Sequence, residues 1–145
     1  MTEKLASKLV KDVMRRGVIT CYTGTPLREV ARIMIQNNIR EVVVIDDRAQ
    51  VCGVISDHLL VRKAYGKDLD KTVAEDILLP YTVTISPEAP LSEAIDLMRK
   101  KRIRNVVIVS DEWEKRPVGI LSCTDIVREM AALEGLIPPG YYRFI

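Results

Sequence analysis

The chain has 145 residues, 48% of them hydrophobic, so it is long enough for one domain with an apolar core or for two small fused units. Its 22 basic residues nearly balance its 20 acidic ones, and the formal charge of +2 argues against a strong chain-wide attraction to nucleic acid. Cys21, Cys52 and Cys123 are odd in number and far apart, which predicts neither a disulfide framework nor a zinc site. Without a secretory signal or a membrane-spanning apolar run in view, we expect a soluble, cytoplasmic protein.

The first half of the chain predicts a strand, a helix, two strands and a helix. Val18–Cys21 is a short apolar strand candidate, and a helix with one apolar face begins near Pro26. The β-branched run Val42–Ile45 is typical of a strand buried on both faces. A third strand, Val51–Ile55, returns across a polar turn, and Ser56 is suited to cap the helix that follows.

The second half repeats this series. Pro26-Leu27 recurs as Pro90-Leu91, an offset of 64 residues, and Gly53-Val54-Ile55-Ser56 recurs as Gly119-Ile120-Leu121-Ser122, an offset of 66. The change of offset indicates a second-copy hairpin loop that is longer by two residues. The elements predicted for this copy are Val83–Ile85, a helix from Pro90, Val106–Val109, Val118–Leu121 and Cys123–Leu133.

These elements predict an α/β fold of two pseudo-symmetric βαββα repeats. One unit of this size leaves a sheet face exposed, so we expect the two units to pack sheet to sheet. The predicted boundaries are residues 8–66 for the first repeat, 72–134 for the second and 135–145 for an aromatic C-terminal tail, which we expect to dock on its own or a second chain. Ala6–Met14 and Thr72–Leu78 are predicted to be short lead-in helices of corresponding role.

The ordered, twice-repeated set of motifs resembles the cystathionine-β-synthase (CBS) domain pair. The resemblance spans about residues 8 to 134 and is carried by Val13-Met14, Pro26-Leu27, Ile39-Arg40, Val42–Ile45 and the run from Gly119 to Asp125. It implies a disc with a cleft on each edge that binds adenosine-containing ligands such as AMP, ADP, ATP or S-adenosylmethionine. AMP is the first candidate, as a regulatory ligand and not as a catalytic cofactor.

The resemblance also implies candidate ligand-binding residues. Ser122 matches the motif hydroxyl at a helix N-terminus, where free backbone N–H groups attract phosphate, and Asp125, one turn on, matches the acceptor for the ribose hydroxyls. Thr82 and Val83 are assigned to the adenine, and Arg104 with its counterpart Arg40 to phosphate. The rival interpretations are a helix cap for Ser122 and Asp125, and solvated surface charges for the two arginines.

The first copy departs from the motif. Leu59 stands where the ribose-binding carboxylate belongs, and Asp57 lies about 200° away around the helix. We therefore predict one good cleft per chain, and a weak or vacant one built on Val18, Ile19 and Ser56.

Three functions follow from these residues. The first is a regulatory adenosine-nucleotide sensor without catalysis, forming a homodimer and acting on an effector protein. The second is a ligand-free structural or oligomerisation module that docks on an effector. The third, a small hydrolase or transferase, is disfavoured because the sequence offers no nucleophile beside a base and no Gly-rich phosphate loop.

Overall fold

The computed structural model describes residues 3–79, 82–111 and 113–132. The predicted tail, residues 135–145, lies outside the described residues. The first repeat contains β1 (Thr20–Tyr22), α3 (Leu27–Asn37), β2 (Glu41–Ile45), β3 (Val51–Ser56) and α4 (Asp57–Ala64), preceded by α1 (Glu3–Ala6) and α2 (Val10–Val13). The second repeat contains α5 (Ala74–Ile77), β4 (Thr84–Ile85), α6 (Leu91–Lys101), β5 (Asn105–Val109), β6 (Pro117–Ser122) and α7 (Cys123–Ala132).

Each repeat forms its own three-stranded sheet, as the predicted α/β class requires. In the first, β2 is central, parallel to β1 and antiparallel to β3, and β5 has the same place between β4 and β6. The first strand is shifted from its predicted position: Val18 and Ile19 precede β1, because pairing begins at Thr20 opposite Val43. Ile19 still accepts a hydrogen bond from the Val43 amide at 3.1 Å.

The central strands are buried on both faces, which explains their unbroken apolar sequence. In β2, Val42 and Val44 face the helices of the first repeat, while Val43 faces a third apolar cluster shared with Val107 of the other sheet. Successive side chains of a strand point to opposite faces, so both faces need apolar residues here. The two sheets therefore pack face to face, as predicted for a fold of this class.

The lead-in segments are exchanged between the repeats. Leu5 and Val10 are fully buried in the core of the second repeat, whereas Ala74 and Ile77 are buried in the core of the first. Burying one such leucine or valine stabilises the fold by about 1.5–3 kcal/mol. The N-terminal segment thus reaches the second repeat, and this crossing brings Arg15 beside α7.

Candidate ligand-binding site

The start of α7 is built as a reciprocal cap. Ser122 precedes the helix, and its hydroxyl accepts a hydrogen bond from the Asp125 amide at 3.3 Å. The Asp125 carboxylate accepts from the Ser122 amide at 2.8 Å and from the Ser122 hydroxyl at 3.0 Å, both through Oδ2. This arrangement satisfies backbone donors that a helix start leaves open. Both residues are buried, and the hydrogen bonds that a helix cap requires are present.

Two arginines complete the surroundings of Asp125. Arg15 Nε donates to Oδ2 at 3.1 Å and Arg128 Nη1 to Oδ1 at 3.1 Å, while the Arg15 guanidinium also pairs with Glu41 of β2. Partial burial acts to lower the pKa of Arg15, but the hydrogen bonds and charges of Glu41 and Asp125 outweigh it and raise that pKa. Arg15 therefore links the N-terminal segment to both repeats through charged hydrogen bonds.

The backbone of Arg15 is fixed beside a glycine. Arg15 and Ile120 exchange backbone hydrogen bonds of 2.9 and 3.0 Å. A Cβ on the neighbouring Gly119 would lie 3.2 Å from the Arg15 carbonyl oxygen and 2.5 Å from Met14 Sδ. Glycine at this position of the motif thus permits the close approach that carries Arg15 to the start of α7.

A cavity of about 340 Å³ opens at this point, and we call it the motif cavity. Its volume falls in the range of small-molecule sites. Arg40, predicted to hold phosphate, lies in it with Ser122. The lining residues are Arg15, residues 38–41, Ser122, Thr124 and Arg128.

A second cavity of about 540 Å³, here the central cleft, lies between the starts of α4 and α7. Ser56 and Ser122 both line it, so the two repeats present their helix N-termini to one space. Four arginines line the same cleft, and none has an ion-pair partner within 4 Å among the described residues; they are Arg40, Arg62, Arg102 and Arg104. Unpaired cations and helix N-termini together favour an anionic ligand.

The predicted adenine residues line a smaller cavity that adjoins the central cleft. Thr82 and Val83 line a cavity of only about 70 Å³ together with Gly53 and Val54 of the first repeat. The Thr82 hydroxyl donates to the Cys52 carbonyl at 2.7 Å. This small cavity shares four lining residues with the central cleft that Ser122 lines, so Thr82 and Val83 lie beside that cleft and outside the motif cavity.

The weaker binding candidates of the first repeat, Val18, Ile19 and Ser56, lie in different surroundings. At the repeat offset, Val18 and Ile19 are the counterparts of Thr82 and Val83, and Val18 packs against the apolar cluster between the sheets. Ser56 caps α4 by accepting from the Leu59 amide at 3.0 Å. Leu59 itself is buried in the first core, so this helix start presents an apolar side chain where α7 presents a carboxylate.

The three cysteines differ in environment. Cys21 is buried, and desolvation raises the pKa of its thiol to about 11. Cys123 is exposed in the central cleft, because it is the first residue of α7, on the open side of the cap. Within the described part of the chain, no cluster of three or more His, Cys, Asp or Glu side chains could hold a metal ion.

Sequence reasoning missed Arg15 and Glu41. Both lie outside the motif that directed attention to Ser122 and Asp125, and Arg15 precedes the first residues that were matched between the copies. A signal did exist: at the offset of 64, Arg15 falls on Leu79 and Glu41 on Asn105. Two residues of opposite charge in one copy, with uncharged residues at both equivalent positions of the other, indicate that the two charges form an ion pair.

Two exchanged βαββα units packed sheet to sheet define a tandem, pseudo-symmetric α/β module. The chain belongs to the CBS domain family, whose model matches residues 10–66 and 73–132. An uncharacterized protein of Methanopyrus kandleri is 32% identical over 97% of this chain, which spans 71% of that protein. An L-aspartate semialdehyde sulfurtransferase of Methanocaldococcus jannaschii is 29% identical over 83% of this chain, which spans only 23% of the enzyme.

Solved structures show the same architecture. The CBS domain pair of protein MJ0100, crystallised with 5′-methylthioadenosine and S-adenosyl-L-methionine, is 27% identical with a TM-score of 0.77, covering 86% of this chain and 96% of that one. An uncharacterized conserved protein from Pyrococcus horikoshii, 22% identical with a TM-score of 0.78 over 91% of this chain and 98% of that one, shares the fold. Among the described residues, no helix has the length and apolar character needed to span a membrane.

Proposed function

We propose that this CBS pair binds an adenosine-containing ligand in the motif cavity and serves as a regulatory module without catalysis of its own. The observation that carries the proposal is the meeting of a helix N-terminus, Ser122 and several arginines at one cavity, with the buried Asp125 carboxylate hydrogen-bonded to Ser122 and Arg15 of its lining. The similarity to the MJ0100 pair, which holds two adenosine compounds, supports the same ligand class.

The charges at the site support a phosphate-bearing ligand. Arg40 lines both the motif cavity and the central cleft, and Arg104 lines the cleft. An AMP molecule with its ribose near Asp125 would direct its phosphate toward these arginines and the N-terminus of α7. ADP and ATP could extend farther into the cleft, whereas the sulfonium of S-adenosylmethionine gains nothing from the cations. AMP is therefore our first candidate, and the module is accordingly an energy sensor.

The remaining parts of the proposal concern assembly and setting. We place the module in the cytoplasm, where free thiols such as Cys21 and Cys123 persist. We expect a homodimer that acts on an effector protein. Ligand binding regulates such an assembly only if its affinity differs between two conformations.

The test is calorimetric titration of AMP, ATP and S-adenosylmethionine into the wild type, Asp125→Ala and Ser56→Ala. The proposal expects one saturable site per chain, weakened at least about tenfold by Asp125→Ala, which corresponds to about 1.4 kcal/mol. Ser56→Ala is the matched change at the other helix start and should leave the affinity within about twofold. Equal loss in both variants, or no heat with any ligand, contradicts it.

A second function has an observation in its favour. Both oxygens of Asp125 already accept hydrogen bonds within the chain, as a purely structural cap and ion-pair cluster would require. Under this alternative the pair is a ligand-free module that docks on an effector protein. Millimolar nucleotide would then leave the melting temperature unchanged, whereas a bound ligand raises it.

A further inference from the structure

Oδ2 of Asp125 is more crowded than a carboxylate oxygen usually is. It accepts from the Ser122 amide, the Ser122 hydroxyl and Arg15 Nε, at 2.8, 3.0 and 3.1 Å. An oxygen of this kind offers about two lone-pair directions. A further donor, such as a ribose hydroxyl, can bond Oδ2 only by taking the place of one of these three.

Arg15 is the donor that can leave. The Ser122 amide and hydroxyl belong to the helix cap and stay with it. The Arg15 side chain is 38% exposed, and Glu41 holds its other end, so the guanidinium keeps a partner when Nε is displaced. Arg128, on Oδ1, has a side chain that is 70% exposed, so the guanidinium that covers the second oxygen has room to move aside.

The other repeat shows that Arg15, Glu41 and Asp125 occur as a set. Their counterparts at the repeat offsets are Leu79, Asn105 and Leu59, so all three charges are absent together. Leu59 is buried and Leu79 is 46% exposed. A buried carboxylate without a cation is costly, which explains why the carboxylate appears only where the cation does.

We propose that Arg15 is a ligand-displaced latch, which holds Asp125 until a vicinal diol takes its place on Oδ2. This inference rests on the proposed function and identifies the hydrogen bond that ligand binding must break. The displaced bond ties the N-terminal segment to α7, so occupancy of the cavity changes a contact between the lead-in segment and the second repeat. A neutral nucleoside has to compete with the whole Arg15–Asp125 interaction, because it carries no phosphate that could bind the released guanidinium.

The test compares adenosine with 2′-deoxyadenosine in calorimetric titrations of wild type and Arg15→Met. Removing the competitor should tighten adenosine binding about three- to tenfold, and 2′-deoxyadenosine, which lacks the diol, should gain less than about twofold. Lys8→Met is the matched control, because Lys8 also joins the N-terminal segment to α7, through Glu129 at 2.7 Å, and does not line the motif cavity. It should leave both affinities unchanged.

A second measurement uses the wild type and needs no variant to fold. The Nε–H resonance of Arg15 should shift on titration with adenosine and stay in place with 2′-deoxyadenosine. An unmoved resonance during saturable adenosine binding, or unchanged adenosine affinity in folded Arg15→Met, overturns the latch while leaving the proposed function intact. Adenosine binding to Arg15→Met alone supports the latch, and adenosine binding to neither protein overturns it, while the AMP titration decides the proposed function separately.

Discussion

The starts of α4 and α7 share a backbone design and differ in chemistry. The Asp57 amide donates to the Arg40 carbonyl and the Cys123 amide to the Arg104 carbonyl, both at 2.8 Å. A serine precedes each helix and accepts from the amide three residues on. At that third position Leu59 enters the first core, whereas Asp125 joins a network with Arg15, Glu41 and Arg128.

The difference extends to three positions on three separate segments. Where the α7 side has Arg15, Glu41 and Asp125, the α4 side has Leu79, Asn105 and Leu59. The backbone of a duplicated unit therefore tolerates either a charged or an uncharged set. Whether a helix start can hold a buried carboxylate depends on a cation delivered by the exchanged lead-in segment, as much as on the local motif.

The largest expected effect comes from giving the first repeat the missing carboxylate. Leu59→Asp removes a core leucine and buries a carboxylate that has Arg62 one turn on but no counterpart of Arg15, so we expect the free energy of unfolding to fall by about 4 kcal/mol. Urea unfolding measures this loss. Val61→Asp on the same helix, where the valine is 73% exposed, should change stability by less than about 0.5 kcal/mol. Near-equal losses in the two variants would refute the burial argument.

The reverse change breaks the charged set. Asp125→Leu leaves Arg15 without one partner and removes the cap bond to Ser122, so we expect a loss of about 2–3 kcal/mol, less than for a fully buried pair because Arg15 is partly hydrated. The triple change Arg15→Leu, Glu41→Asn and Asp125→Leu reproduces the uncharged set and should recover at least half of that loss, measured by urea unfolding. A triple variant less stable than Asp125→Leu would show that the three positions do not act as a unit.

The equivalent glycines of the two repeats, Gly53 and Gly119, extend the comparison to the backbone. The three atoms nearest to a Cβ at Gly53 all belong to the Leu78 side chain, the first at 2.8 Å, whereas those nearest to a Cβ at Gly119 include the Arg15 carbonyl oxygen as well as Met14. A side-chain tip moves more easily than backbone, so Gly119→Ala should destabilise by about 1–2 kcal/mol and Gly53→Ala by about half as much. Gly24, which has open space around its Cα, gives the neutral control. A larger loss at Gly53 would contradict this reasoning.

The sequence predicted most of this architecture because duplication makes each copy a check on the other. The doubled order of apolar runs established the α/β class, and Leu59 against Asp125 was visible at the offset of 66. Serine capping followed from local chemistry, since a helix start needs an acceptor wherever the fold places it.

The grouping of residues into cavities could not be predicted in the same way. The resemblance assigned Thr82 and Val83 to the adenine, and the structure places them beside Gly53 and Val54 of the other repeat, in a small cavity that adjoins the central cleft. That outcome depends on the crossing of the lead-in segments, which long-range packing decides and no local pattern reports. Arg15 escaped notice for the same reason, since its partners are 26 and 110 residues away in sequence.

The smallest expected effect lies in β1, where the first copy has Cys21 and the second has Ile85 in equivalent core positions. Burial raises the pKa of the Cys21 thiol to about 11, above the unfolded value, so the unfolded chain loses this proton first as the pH rises. Stability from this thiol is complete below about pH 9 and declines toward pH 11, by up to about 1 kcal/mol at pH 10. Urea unfolding of wild type and Cys21→Ile under reducing conditions, at pH 7.5 and at pH 10, isolates the contribution. Because isoleucine does not titrate, the variant should lose less stability between the two pH values, and equal losses would show that the Cys21 proton is not the cause.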